Sequence, residues 1–473
     1  MKKILVFISL ILFLMILVAC SDSQKNSNYE IHPFITKSDQ SMLLYKLPSF
    51  LIGKDKEHST KQIKILSNRT FQIMDGFGAA MTESSAYLLA SMSDEKRQKT
   101  LNELFSKTDG IGIDFIRIPM GASDFSLDNF SYNDIPAGET DLSLFNFSLE
   151  RDERYVIPIL KEILKINPDI KFMGTPWSAP AWMKDSQSMN GGSLLPQYYQ
   201  SYANYFLKFI EGYKEHGIEI YALSPQNEPL YQTSNYPSMY MHVHQQTIFI
   251  DFLGKTLREN GHQTLIIAYD HNWDNYEYPM TVLSSEKIDN FVAGSAFHCY
   301  SGDVSNQDFL NKNYPDKGIW FTECSGGNWA TDFGSNISWN MENVFIGSIN
   351  FHSKGVMLWN LALNEENGPQ NGGCSNCRGV ITINNDETIT KNEEYYSIGH
   401  FSKFVVPNAK RVLVESSYED IIATGFLNPD GSIVVVLHNK SFEMIDLNLN
   451  IDGVLGNYII PSSSTVSLLI DPV

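Results

Sequence analysis

The sequence predicts a (β/α)8 barrel of the TIM type, with an antiparallel β-sandwich built from its C-terminal strands and a few N-terminal ones. Three observations predict it. From about residue 71, short apolar strands alternate with helical stretches, the pattern of consecutive parallel βα units. Two of these strands run into a glutamate, in Asn227-Glu228-Pro229 and in Thr322-Glu323, and barrels of this kind carry their chemistry at the C-terminal strand ends. After about Tyr396 the alternation gives way to short β runs separated by turns. A doubly wound open sheet is the runner-up, and it would leave the two glutamates poorly placed to converge.

The chain opens on Lys2-Lys3 and an apolar run from Ile4 to Ala19 that is short for a membrane span. Leu17-Val18-Ala19-Cys20 looks like a bacterial lipobox. Residues 1–19 are therefore read as a lipoprotein signal peptide and Cys20 as the lipid-bearing first residue of the mature chain. The chain would be exported and lipid-anchored at a bacterial membrane, on the periplasmic side or at the cell surface. Residues 20–40 are read as a tether, with Ser21 to Ser27 polar throughout. Residues 41–70 supply N-terminal sandwich strands at Met42 to Leu47 and Lys61 to Leu66, the second alternating polar and apolar.

The barrel is expected over 71–395. Its strand candidates are Phe71–Gly78, Ile113–Pro119, Ile170–Trp177, Ile218–Leu223, Thr264–Asp270, Val292–His298, Gly318–Thr322 and Gly355–Asn360. Pro229 biases Glu228 toward an extended backbone at the end of the fourth. Helical patterns fall between them at Glu95–Phe105, Tyr155–Ile166, Tyr199–Tyr213 and Ile248–Leu257. The sandwich is expected over 396–473, with β runs at Arg411–Val414, Ile421–Phe426 and Ser432–Leu437 and a turn at Asn428-Pro429-Asp430-Gly431.

A net charge of −19 argues against nucleic acid as a partner, which would call for a basic face. An aromatic content of 12% suits both sugar stacking and a large core, so it does not discriminate. Cys374-Ser375-Asn376-Cys377 lacks a second pair, so structural zinc is not expected; in an exported chain it could close a tight disulfide loop. Cys299 and Cys324 flank candidate site residues and are expected as buried free thiols, with pairing between them left open. His242-Val243-His244 lacks an evident third ligand, so no metal is expected, and no cofactor.

Two glutamates facing each other in one barrel mouth point to glycosidic bond hydrolysis. One would protonate the leaving oxygen and the other attack the anomeric carbon, with the anionic partner raising the acid's pKa. The competing reading is a surface or salt-bridged glutamate at either position.

The motifs sharpen this. Gly76-Phe77-Gly78-Ala79-Ala80-Met81-Thr82, Arg117-Ile118-Pro119-Met120 and Ser123-Asp124-Phe125-Ser126 stand in that order. Pro176-Trp177-Ser178-Ala179-Pro180-Ala181-Trp182, Asn227-Glu228-Pro229, His298-Cys299-Tyr300, Glu323-Cys324, Trp359-Asn360-Leu361-Ala362-Leu363-Asn364 and Gly399-His400-Phe401-Ser402-Lys403-Phe404 follow. Together they resemble glycoside hydrolase family 30, the family of lysosomal glucosylceramidase and of bacterial and fungal β-glucosidases and β-1,6-glucanases.

The resemblance implies a retaining mechanism with Glu228 as acid/base and Glu323 as nucleophile. It implies Asn227 at the sugar 2-hydroxyl, and Asp124, Trp177 and Trp359 around the terminal glucose. Tyr300 and Arg117 would orient the nucleophile's carboxylate, Arg117 alternatively forming a structural ion pair. His298 either lines the site or satisfies a barrel hydrogen bond, and Tyr236 matches a position near the site. Asn371-Gly372-Gly373-Cys374 to Val380 resembles the bacterial and fungal members, several of which cut β-1,6-glucan. The expected substrate is thus a β-1,6-glucan or its oligosaccharides. A glucosylceramidase-type β-glucosidase is the alternative, and a surface glycan-binding lipoprotein without activity is a remote third.

Overall fold

The computed structural model describes residues 29–53 and 60–473. The lipobox, Cys20 and the expected signal peptide lie outside the described residues. Eight parallel strands close into a barrel: β1 (Gly76–Ala80), β2 (Phe115–Pro119), β3 (Lys171–Thr175), β4 (Ile220–Leu223), β5 (Leu265–Asn272), β6 (Val292–His298), β7 (Gly318–Glu323) and β8 (Ser353–Asn360). The β8–β1 pairing, with Gly355 opposite Gly76, completes the ring and rules out the open sheet. Each strand falls within two or three residues of its expected place except the first. There the chain from Ile63 to Ile73 is a sandwich strand, and the barrel begins only at Gly76. Gly76 sits at φ 143°, and a Cβ there would collide with the Asp114 carboxylate, which accepts from Phe77 N at 2.7 Å.

Inside the ring, Phe115, Met173, Ala222, Ile267, Ala296, Trp320 and Met357 form an apolar plug. Strand side chains alternate, so the next inward residues toward the C-terminal end include Arg117, two past Phe115, and His298, two past Ala296. Beyond Trp320 comes Thr322. The plug gives way to a polar layer under the barrel mouth. Outside the ring, amphipathic helices such as Val156–Ile166 and Tyr199–Glu215 bury one face against the strands.

The second sheet has ten strands and its own apolar core. Tyr29–Lys37 pairs antiparallel with Ser464–Pro472 along its whole length, so the expected tether over 20–40 gives way to a strand by Tyr29. Its alternating burial explains this: Ile31 and Ile35 face the core. Met42–Leu47 is mostly turn, with only Tyr45–Lys46 paired. Lys61–Leu66 is borne out within Ile63–Ile73, which pairs with Lys410–Ser416. The expected boundary at 395/396 falls inside a buried helix, Glu393–Ser402, so the sandwich resumes only at Lys410.

Candidate active site

The polar layer is one connected network. Arg117, fully buried on β2, donates to Asp270 Oδ2 at 2.9 Å, to Asn227 Oδ1 at 2.7 Å and to Glu323 Oε2. The Tyr300 hydroxyl donates to the other Glu323 oxygen at 3.0 Å. His298 spans two carboxylates, with Nδ1 3.1 Å from Glu228 Oε1 and Nε2 3.0 Å from Asp270 Oδ1. Thr322 Oγ1 donates to the same Asp270 oxygen at 2.6 Å.

Glu228 lies five residues past the end of β4, not at the strand end, and its φ of 45° is left-handed, not extended as expected. Its N–H donates to Asp270 O at 2.9 Å, and this bond holds it there against the preference that Pro229 imposes. Asp270 (φ 63°) and Tyr269 (φ 73°) are left-handed as well. The β5–β6 register slips at this point, Ala296 facing Tyr269 and Phe297 facing His271. Such a bulge turns Asp270 inward although Ile267 already points there.

Above the network is a cavity of about 300 Å³. Asp124, Trp177, Asn227, Glu228, Tyr236, Tyr300, Glu323 and Trp359 all line it. Trp177 and Trp359 stack at 4.7 Å between centroids, and the Arg117 guanidinium stands 4.9 Å from the Trp177 ring centre. Arg117 fixes the Asn227 amide oxygen, which leaves its NH2 as the donor for a ligand. Asp124 is half-buried, with its Oδ1 buried and unpartnered, a carboxylate edge available to ligand hydroxyls. The loop carrying Cys374 and Cys377 closes this wall: Asn371 N donates to Asp124 O at 2.7 Å, and Gly373 leaves no room for a Cβ against Asp124. His298 and Arg117 lie beneath the cavity rather than in its wall.

The electrostatics differ from the expected pattern. Burial pushes the Glu228 carboxyl up, but the His298 hydrogen bond and the charges of His271, His298 and Arg117 outweigh it, so Glu228 sits below its ordinary range. Glu323 is the raised carboxyl, mainly through burial, against the pull of His298 and Arg117. Burial disfavours the charged His298 ring, yet Glu323, Asp270 and Glu228 together push it up to about 9. The expectation that the anionic partner keeps a proton on Glu228 is therefore overturned: the proton of the His298–Glu228 pair rests on the ring.

Both remaining cysteine pairs are bridged. Cys299–Cys324 forms a disulfide, correcting the expected free thiols. It ties the residue after His298 to the residue after Glu323. Cys374–Cys377 closes its short loop. Among the described residues, Glu228, His298 and Glu323 are the one group of three possible metal ligands, with ligand atoms all within 4.8 Å. Both ring nitrogens of His298 already face carboxylates, so the group reads as a proton-handling cluster. His242 caps the helix Val243–Glu259, its Nδ1 accepting from His244 N at 3.3 Å.

The sequence alone does not single out Asp270 and His271. The available signal was an acidic residue at the end of a barrel strand, the same signal that marks Glu323.

Residues 74–405 match the family described as Glycosyl hydrolase family 30 TIM-barrel domain, and residues 408–468 match Glycosyl hydrolase family 30 beta sandwich domain. The endo-1,6-beta-D-glucanase neg1 of Aspergillus fumigatus is 33% identical over 430 residues, covering 84% of this chain and 86% of that protein. The lysosomal acid glucosylceramidase of Mus musculus is 32% identical over 409 residues, covering 81% and 78%. Among solved structures, the endo-beta1,6-glucanase BT3312 superposes with a TM-score of 0.86 at 35% identity, covering 93% of this chain and 99% of that one.

Proposed function

The chain belongs to glycoside hydrolase family 30, and we propose that it is an endo-acting β-1,6-glucanase working by double displacement with retention. The observation that carries the mechanism is the closeness of the two glutamates: a carboxylate oxygen of Glu228 lies within 4.8 Å of one from Glu323. Retention through a covalent intermediate calls for carboxyl groups about 5–5.5 Å apart, and inversion for about 6.5–9.5 Å.

In this reading Glu323 attacks the anomeric carbon. Arg117 and Tyr300 each hold one of its oxygens, and the charges of His298 and Arg117 oppose the upward push of burial on its carboxyl. Glu228 delivers a proton to the glycosidic oxygen as the bond breaks. Since that proton rests on His298, the ring passes it from Nδ1 to Glu228 Oε1 across the 3.1 Å contact and becomes neutral. In the second half Glu228 accepts a proton from water, which attacks the glycosyl ester and frees Glu323. Asn227 holds the 2-hydroxyl, and Asp124, Tyr236, Trp177 and Trp359 hold the rest of the ring.

The substrate reading is supported by the two relatives named as endo-1,6-β-glucanases. The match to the mouse enzyme keeps a glucosylceramidase-type β-glucosidase as the second reading. The deciding experiment incubates the chain, with Glu323→Gln as control, with linear β-1,6-glucan and separately with glucosylceramide in detergent. Oligosaccharides from the glucan alone support the first reading; glucose from the ceramide alone overturns it in favour of the second.

We propose further that the protein is exported and held at a membrane by lipid on Cys20. Two disulfides support an oxidising compartment. Cys20→Ala should release the protein into the soluble fraction of cells expressing it; unchanged membrane association would count against the anchor.

A further inference from the structure

The catalytic cavity does not end at the catalytic residues. Tyr300, Ser325 and Trp329 line both it and a second cavity of about 510 Å³. Ser335 and Trp339 line that second cavity and also a third of about 540 Å³, which reaches Phe442 on the sandwich. Through these shared residues the three adjoin one another in a track from Glu323 across the segment 325–339 to the seam between barrel and sandwich.

Three large aromatic side chains stand along it, one in each stage, and all are open to solvent: Trp329 at 56%, Trp339 at 44% and Phe442 at 90% relative exposure. Exposed aromatics gathered along one track, rather than scattered singly, mark a surface that takes a partner. Their mounts are rigid. The Trp329 ring lies against the bare backbone of Gly327, where a Cβ would collide with it. That backbone is stitched to the Cys374–Cys377 loop by Asn328 N to Asn376 O at 2.8 Å and Arg378 N to Gly326 O at 3.0 Å. Across the seam, Lys440 Nζ meets Glu342 Oε1 at 2.7 Å, and the His438 ring meets Ser338 Oγ at 3.0 Å. These bonds hold the turn bearing Phe442 beside the helix bearing Trp339.

Between the aromatics the wall carries hydroxyls and amides, including Ser335, Asn336 and Asn340. The charged groups of the walls are already partnered: Arg378 with Glu393 and Glu394, Lys440 with Glu342, Asp39 with Lys37, and Asp332 with the Ser335 N–H, so none is free to anchor an ion. Spaced aromatic faces alternating with neutral polar groups and internally paired charges suit a chain of neutral sugar rings. Each ring offers an apolar face for stacking and an equatorial fringe of hydroxyls. An alkyl chain would match the aromatic faces alone and desolvate the polar wall between them.

We propose that this track binds the glucan chain beyond the sugar in the catalytic cavity, so that the sandwich takes part in holding polymeric substrate. The proposal rests on the β-1,6-glucan reading. Binding energy from sugars remote from the bond being cut then favours long chains over short ones.

The test compares Trp339→Ala and Phe442→Ala, one from each domain, with the unaltered chain on β-1,6-linked gluco-oligosaccharides of increasing length and on the polymer. Ile459→Ala, exposed but lining none of the three cavities, is the control. The ratio of kcat/KM on polymer to that on the trisaccharide should fall about tenfold in each track variant and stay put in the control. The Glu323→Gln chain, with and without Phe442→Ala, should show the same contrast in retardation by glucan in native gels. Unchanged ratios, with β-1,6-glucan still cleaved, would overturn the track alone. Failure of the unaltered chain to cut any β-1,6 linkage would overturn the substrate reading and this proposal with it. Lost activity on a long-chain glucosyl lipid alone would assign the track to lipid.

Discussion

His298 Nδ1 stands 3.1 Å from Glu228 Oε1, with the opposite ring nitrogen 3.0 Å from Asp270. The ring is fully buried, so its charge exists only because carboxylates surround it.

That charge sets a pH dependence. The imidazole is pushed from 6.5 to about 9 on folding, so its contribution to stability is complete below pH 6.5 and is lost as pH rises through 9. The melting temperature of His298→Gln should therefore lack the decline that the unaltered chain shows between those pH values. The same substitution removes a cation that lowers Glu323, so the acid limb of the kcat/KM profile should move to higher pH. A lowered rate with an unmoved limb would mean that His298 only shapes the site.

Glu228→Gln should separate protonation from attack. A natural glucoside, with a poor leaving group, should lose about 10²–10⁴ in kcat/KM, the range general acids supply. A nitrophenyl glucoside needs little protonation and should lose less than about tenfold in the first step. Equal losses, measured by single-turnover kinetics, would remove Glu228 from the acid role.

The barrel is legible in the sequence because each strand is a short apolar run ending in polar or aromatic residues. The mouth is legible because Glu228, Glu323, Asp124, Trp177 and Trp359 sit in recognisable motifs. What escapes has a physical reason in each case. Asp270 is inward only because Tyr269 and Asp270 adopt left-handed backbone, which alternation cannot anticipate. The His298 charge depends on three carboxylates from separate strands and loops. The strand Tyr29–Lys37 is read as tether because its partner, Ser464–Pro472, lies at the other end of the chain. The Cys299–Cys324 bridge depends on how the two side chains point just past the ends of β6 and β7, which the predicted adjacency of those strands does not fix.

That bridge makes a prediction of its own. It closes a loop of 25 residues between the two strand ends that carry His298 and Glu323. Loop entropy alone gives it about 3.5 kcal/mol, roughly twice the value for the three-residue separation of Cys374–Cys377. The double change Cys299→Ser with Cys324→Ser should lower the denaturation midpoint more than the double change at Cys374 and Cys377. It should also lower kcat, since Tyr300, beside Cys299, positions the Glu323 carboxylate at 3.0 Å. Equal midpoints for the two variants would show that the longer loop is restrained by other contacts.

Asp270 offers the sharpest separation of structure from chemistry. Its carboxylate meets Arg117, His298 and Thr322 together, and the positive partners hold it well below the usual carboxylate range against the cost of burial. Asp270→Asn keeps the size and removes the charge, leaving two buried cations with Glu228 and Glu323 as their remaining counter-ions. The expected destabilisation is about 3–5 kcal/mol, that of breaking one side of a buried pair. The chemical consequence is separate. With one carboxylate fewer, the His298 imidazole falls from about 9, and the proton it lends to Glu228 is lost at a lower pH. The alkaline limb of the rate profile should therefore move to lower pH at temperatures where the variant is still folded, and the unchanged limb of Thr322→Val would serve as reference. A destabilised Asp270→Asn variant with the original alkaline limb would assign Asp270 to holding Arg117 alone and cut it out of the proton path.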